Sequence, residues 1–66
     1  MTITVNGTAQ PLPSNPSITG LLVELGLGEK PVVVEHNKTA LFPRDYESTK
    51  LSEGDSIEII TIAAGG

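Results

Sequence analysis

The 66-residue sequence lacks most of the residues from which catalytic and metal sites are built. It has no cysteine, and its only histidine is His36. There is therefore no disulfide, thiolate ligand, thiol nucleophile or histidine pair for a metal ion, and no phosphate-binding glycine loop opens a helix. A chain of this length buries only about 60% of its unfolded surface, which leaves little room for a catalytic cavity. We therefore expect a protein that is not an enzyme and that itself binds no metal or cofactor.

Basic residues are also scarce. Four lysines and arginines stand against eight acidic residues, for a formal net charge of -4, and they form no stripe that would suit nucleic acid. No apolar run approaches the roughly 18 residues of a membrane span, and no signal peptide follows Met1. These features predict a cytoplasmic protein, monomeric when free, that meets a protein partner rather than nucleic acid or a membrane.

The first 13 residues have the pattern of a β-hairpin. Residues 2–5 alternate polar and apolar side chains and lead into Asn6-Gly7, the dipeptide most typical of a tight hairpin turn. Residues 8–12 follow as the return strand. Pro11 and Pro13 cannot donate ladder hydrogen bonds, so this strand is predicted to be short and at an edge.

The spacing of apolar residues then changes to that of a helix. The predicted buried stripe consists of Ile18, Leu21, Leu22 and Leu25. Ser17 is the expected N-cap, and Gly26 suits the left-handed residue that ends a helix. Gly20 inside the helix is explained either by close packing of helix on sheet or by a frayed first turn.

A third strand is predicted over residues 31–37, with Val33 and Glu35 on one face and Val32, Val34 and His36 on the other. His36 then lies at the rim of the core, where we interpret it as structural. Residues 39–50 are expected to form a short strand and an irregular connection packed by Phe42 and Tyr46. Leu51 is interpreted as an apolar plug ahead of the last strand.

The strongest strand pattern covers residues 56–62. Alternation puts Ile57 and Ile59 on the face opposite Ile60 and Ile62, so one pair lines the core and the other is left outside. The outward pair is either scattered apolar surface or, together with Val33, a docking patch beside the chain end. Of these two readings we favour the docking patch.

The sequence ends on Ala63-Ala64-Gly65-Gly66. Four small residues can extend about 13 Å through a narrow channel, and glycine allows close approach to a nucleotide. The reactive group would be the α-carboxylate of Gly66, which needs activation as an acyl-adenylate. ATP and the active site would then belong to a partner.

The sequence resembles the ThiS/MoaD family of ubiquitin-like sulfur carriers, most closely its thiamin-biosynthesis members. The resemblance covers the whole chain and rests on these segments: Ile3-Thr4-Val5-Asn6-Gly7, the helix stripe, Val34-Glu35-His36-Asn37, Phe42-Pro43-Arg44, residues 51–59 and Ala64-Gly65-Gly66. It implies an α+β, β-grasp fold: a mixed sheet of four to five strands with one helix across one face. Residues 1–66 would form a single domain with a flexible C-terminal Gly-Gly tail.

The resemblance also implies a function. An E1-like, ThiF-like adenylyltransferase would adenylate Gly66, a sulfur relay from cysteine desulfurase would convert it to a thiocarboxylate, and thiazole synthase (ThiG) would take the sulfur. Ala64 and Gly65 would thread into the partner. Val33, Ile60, Ile62 and Arg44 would form the partner-binding patch, with Arg44 either a partner contact or part of a local ion pair.

Three alternatives stay open at this stage. The same tail would serve another sulfur-transfer pathway, such as molybdopterin synthesis. An activated Gly66 could instead form isopeptide bonds, which would make the chain a ubiquitin-like modifier. The third alternative is a β-grasp binding module whose chain end is inert.

Overall fold

The computed structural model describes residues 1–62, so Ala64, Gly65 and Gly66 lie outside the described residues. The elements are β1 (Thr2–Val5), β2 (Thr8–Pro11), α1 (Ile18–Glu24), β3 (Val32–His36), β4 (Thr39–Leu41), a 3₁₀ turn (Pro43–Asp45) and β5 (Ser56–Thr61). The predicted hairpin, helix, third strand, short fourth strand and last strand are all confirmed.

The five strands form one mixed sheet in the order β2-β1-β5-β3-β4. The first and last strands, β1 and β5, pair in parallel. The β1–β2, β3–β4 and β3–β5 pairs are antiparallel. A parallel pair of terminal strands inside a mixed sheet, with one helix connecting the two hairpins, is the β-grasp arrangement that the resemblance implied.

The hairpin turn depends on two residues with positive φ. Asn6 has φ 51° and Gly7 has φ 82°, a combination that asparagine and glycine tolerate far better than other residues. The turn brings Thr8 opposite Val5 and Pro11 opposite Thr2. β2 then lies at the edge of the sheet, as predicted.

Both predicted helix ends are confirmed. The Ser17 hydroxyl accepts a hydrogen bond from the Gly20 N–H at 3.0 Å, and Gly26, at φ 77°, follows the last turn. Gly20 is explained neither by close packing of the helix on the sheet nor by a frayed first turn. Its close neighbour is the preceding loop: a Cβ on Gly20 would overlap the carbonyl oxygen of Asn15. The first helical turn is thus packed against the loop that leads into it.

The core lies between the helix and one face of the sheet. Its buried members are Ile3, Val5, Ile18, Leu21, Leu22, Val34, Leu51, Ile57 and Ile59. Leu25 and Tyr46 pack against it while partly exposed, and the Tyr46 hydroxyl donates to the Val32 carbonyl at 3.3 Å. Burial raises the pKa of Tyr46.

Leu51, which was predicted to be an apolar plug ahead of the last strand, is buried in this core. Phe42 was expected to pack the irregular connection after β4, but this residue is 62% exposed.

Candidate functional site

The outer face of the sheet carries the apolar side chains that alternation had turned away from the core. Val33 of β3 pairs directly with Ile60 of β5, and the two residues are 42% and 59% exposed. Ile62 is exposed as well, and its N–H donates to the Pro31 carbonyl at 3.0 Å, which continues the β3–β5 pairing past the end of β5. The predicted outward orientation of these three residues is confirmed, while their role in docking stays a prediction.

Phe42 extends the same surface. Leu41 pairs with Val34 and Ala40 with Glu35, so one further step of this register brings Phe42 beside Val33. Its extended backbone, φ -91° and ψ 151°, keeps the alternation of side chains. We call Val33, Phe42, Ile60 and Ile62 the outer apolar patch. Alternation through residues 40–42 could have found Phe42, since it puts this ring on the face opposite Leu41.

Arg44 lies at the margin of this patch. Its guanidinium carbon stands 5.0 Å from the centroid of the Phe42 ring, within the range of a cation–π interaction. Among residues 1–62, the contact at salt-bridge distance joins His36 to Asp55, so the local ion pair considered for Arg44 is not found there. A partner contact of Arg44 remains a prediction.

The Asn6 side chain forms hydrogen bonds with β5 beyond the end of β1. Its Nδ2 donates to the Ile59 carbonyl at 3.0 Å, and its Oδ1 accepts from the Ile59 N–H at 2.7 Å. The carboxamide thereby replaces the missing main-chain partner of β5. Sequence reasoning assigned Asn6 only to the turn, because a contact 53 residues away leaves no local pattern.

The other end of β5 is fixed by a polar cluster around Asp55. This carboxylate accepts from His36 Nε2 at 2.8 Å, Asn37 Nδ2 at 3.2 Å and the Ser52 N–H at 2.9 Å. Burial raises the pKa of Asp55, but these hydrogen bonds lower it by more, so the pKa lies below its ordinary value. Asn37 Oδ1 also accepts from the Ser56 N–H at 2.8 Å. His36 has the structural role predicted for it.

The described residues present an exposed apolar surface. Within residues 1–62, no group of three histidine, aspartate or glutamate side chains is arranged to hold a metal ion, and no pocket is present. No helix in that part of the chain is long and apolar enough to cross a membrane. What the surface does provide is the outer apolar patch, next to the end of β5 that leads to Gly65 and Gly66.

The fold and the position of this patch define a small β-grasp protein of the ubiquitin-like class. The sequence model of the ThiS family matches residues 3–66. The chain therefore belongs to the ThiS family, which consists of small sulfur carriers.

Two individual proteins show the same likeness. The crystal structure of the thiamine biosynthesis protein ThiS from Geobacter metallireducens superposes with a TM-score of 0.80 at 29% identity, over 100% of both chains. A thiazole synthase from Paramagnetospirillum magneticum is 29% identical over all 66 residues, which correspond to 20% of that protein. The chain thus spans about a fifth of the length of this curated relative.

Proposed function

We propose that this chain is a sulfur carrier of thiamin biosynthesis that delivers sulfur as a thiocarboxylate on Gly66. The observation that carries the proposal is the ThiS family match, which runs from residue 3 through the Gly65-Gly66 end. The chain acts as a cosubstrate, and its partners supply ATP, sulfur and active sites. The proposal requires Gly66 to be the last residue of the mature protein.

The first step is activation of the terminal carboxylate by a ThiF-like adenylyltransferase. A Gly66 carboxylate oxygen attacks the α-phosphorus of ATP, and the bond to pyrophosphate breaks. A persulfide supplied by a relay from cysteine desulfurase then displaces AMP at the acyl carbon and forms an acyl disulfide. Two-electron reduction of that disulfide by a thiol reductant releases the thiocarboxylate and the relay thiol. Glycine at positions 65 and 66 suits this step because the backbone must approach the nucleotide closely.

The acceptor of the sulfur is thiazole synthase. The P. magneticum thiazole synthase supports this choice, because one fifth of that protein is similar to the whole of this chain. A carrier region and a thiazole synthase in one polypeptide are suited to successive steps of one reaction, since covalent linkage raises their effective concentration. The outer apolar patch is the docking surface, and Arg44 contacts the partner beside it.

Exchange of labelled pyrophosphate into ATP by the purified adenylyltransferase of the same source tests this proposal. The exchange should depend on this chain, since adenylation of Gly66 is reversible. Gly65→Val should abolish it, because a β-branched side chain cannot follow a channel made for glycine. Thr8→Val, which adds the same side chain at an exposed position of β2, should leave the exchange unchanged. Undiminished exchange with Gly65→Val would contradict the proposal.

A further inference from the structure

Two glutamates lie directly opposite each other on the outer face of the sheet. Glu35 of β3 pairs with Glu58 of β5 in the antiparallel register. Side chains in such a pair start about 4.5–5.5 Å apart, and like charges in this arrangement destabilise the sheet. The stability of the sheet therefore does not explain why two carboxylates are placed there.

Nothing in the described part of the chain neutralises this pair. Within residues 1–62, neither carboxylate lies within salt-bridge distance of a basic side chain, since the contact at that distance there joins His36 to Asp55. Residues 63–66 are alanine and glycine, so they bring no basic side chain either. The two charges therefore stay uncompensated within the chain.

The glutamate pair adjoins the outer apolar patch. Val33 and Ile60 pair two residues further along the same two strands, on the same face, about 7 Å away. A protein that covers Val33 and Ile60 also covers the two carboxylates. Desolvating two adjacent carboxylates is costly unless a cation is placed between them.

We propose that the outer apolar patch and the Glu35–Glu58 pair together dock on thiazole synthase, at an apolar strip that presents a basic side chain between the two carboxylates. A second copy of this chain fits poorly, because face-to-face contact would bring further glutamates to the same place. A guanidinium fits well, because its planar fork can donate to both carboxylates at once. The choice of thiazole synthase rests on the proposed function.

The test compares the double variant Glu35→Gln/Glu58→Gln with the unsubstituted chain for binding to purified thiazole synthase of the same source. Affinity at low salt should fall about tenfold, and its dependence on salt should become shallower, because a charge pair is lost. The matched control is Glu29→Gln/Glu47→Gln, which removes two charges from exposed loop positions. Its affinity should change by less than about twofold.

Stability of the free double variant separates docking from a structural role. Its urea midpoint should stay the same or rise, because a repulsion is relieved. Equal affinities of the double variant and the control would overturn the inference, as would a failure of the unsubstituted chain to bind thiazole synthase. Neither result bears on sulfur carriage, because pyrophosphate exchange and thiocarboxylate formation at Gly66 are measured without thiazole synthase.

Discussion

β5 presents Ile57 and Ile59 to the helix and Ile60 to the opposite side, with exposed fractions of 0%, 7% and 59%. β3 repeats the division, since Val34 is fully buried and Val33 is 42% exposed. Apolar residues on the same strand therefore contribute differently, depending on which face of the sheet they occupy. On the inner face they stabilise the fold, whereas on the outer face they leave apolar surface exposed to water, as at candidate interaction sites.

The largest expected effect is the difference between two alanine substitutions on β5. Ile57→Ala should cost about 2–5 kcal/mol of unfolding free energy, because it leaves a cavity in the core. Ile60→Ala should cost about 1 kcal/mol or less, through β-propensity alone. Urea titrations followed by circular dichroism measure both. Should Ile57→Ala fail to fold, Ile57→Val is the milder variant, expected to lose about 1 kcal/mol. Equal losses for Ile57→Ala and Ile60→Ala would contradict the assignment of faces.

On the helix side, Gly20→Ala should destabilise although alanine is the better helix former. The added methyl group would meet the backbone of Asn15, and such overpacking costs about 1–3 kcal/mol. Val23→Ala on the exposed face of the same helix serves as the control and should change stability by less than about 0.5 kcal/mol. A more stable Gly20→Ala variant would show that the loop at Asn15 yields.

The Asn6 side chain gives a third test, at the place where β5 continues beyond the end of β1. Asn6→Gly keeps the positive φ of the turn but removes both hydrogen bonds to Ile59. We expect a loss of about 1–2 kcal/mol, because two main-chain groups lose their partners. The urea midpoint measures the loss. An unchanged midpoint would mean that water replaces the carboxamide without cost.

The smallest expected effect is the acid dependence of stability at Asp55. Its pKa in the folded protein lies below the ordinary value of 3.8, so the stabilisation is fully present above that value. It is lost as the pH falls through the lower, folded pKa. Urea midpoints at neutral and strongly acidic pH should differ less in Asp55→Asn than in the unsubstituted protein. An equal acid loss in both would place the effect on other carboxylates.

Local patterns accounted for most of the inner face. The Asn6-Gly7 turn, the Ser17 cap and the alternation through residues 56–61 depend on neighbours in sequence, and all three were predicted. The features that were missed depend on pairing between distant segments. The Asn6 contact to Ile59, the Asp55 cluster and the Glu35–Glu58 pair appear only once β5 has its register against β1 and β3.

The outer face shows the same limit. Alternation turned Val33, Ile60 and Ile62 outward correctly, but Phe42 follows the short strand β4, and sequence reasoning left it in an irregular connection. Its place in the outer apolar patch depends on the pairing of β4 with β3. Gly65 and Gly66 lie outside the described residues. The role proposed for them in sulfur transfer rests on the match to the ThiS family, which includes both residues.

Mass analysis of the C-terminal peptide tests the central claim most directly. The chain would be incubated with ATP, cysteine, a thiol reductant and the purified adenylyltransferase and cysteine desulfurase of its source, alkylated with excess iodoacetamide and cleaved after Lys50. The peptide 51–66 contains neither cysteine nor methionine, so alkylation reports a thiocarboxylate without interference from methionine sulfoxide. We predict alkylation at Gly66 that requires ATP. An unmodified Gly66, with the adenylyltransferase shown to be active, would contradict sulfur carriage by this chain.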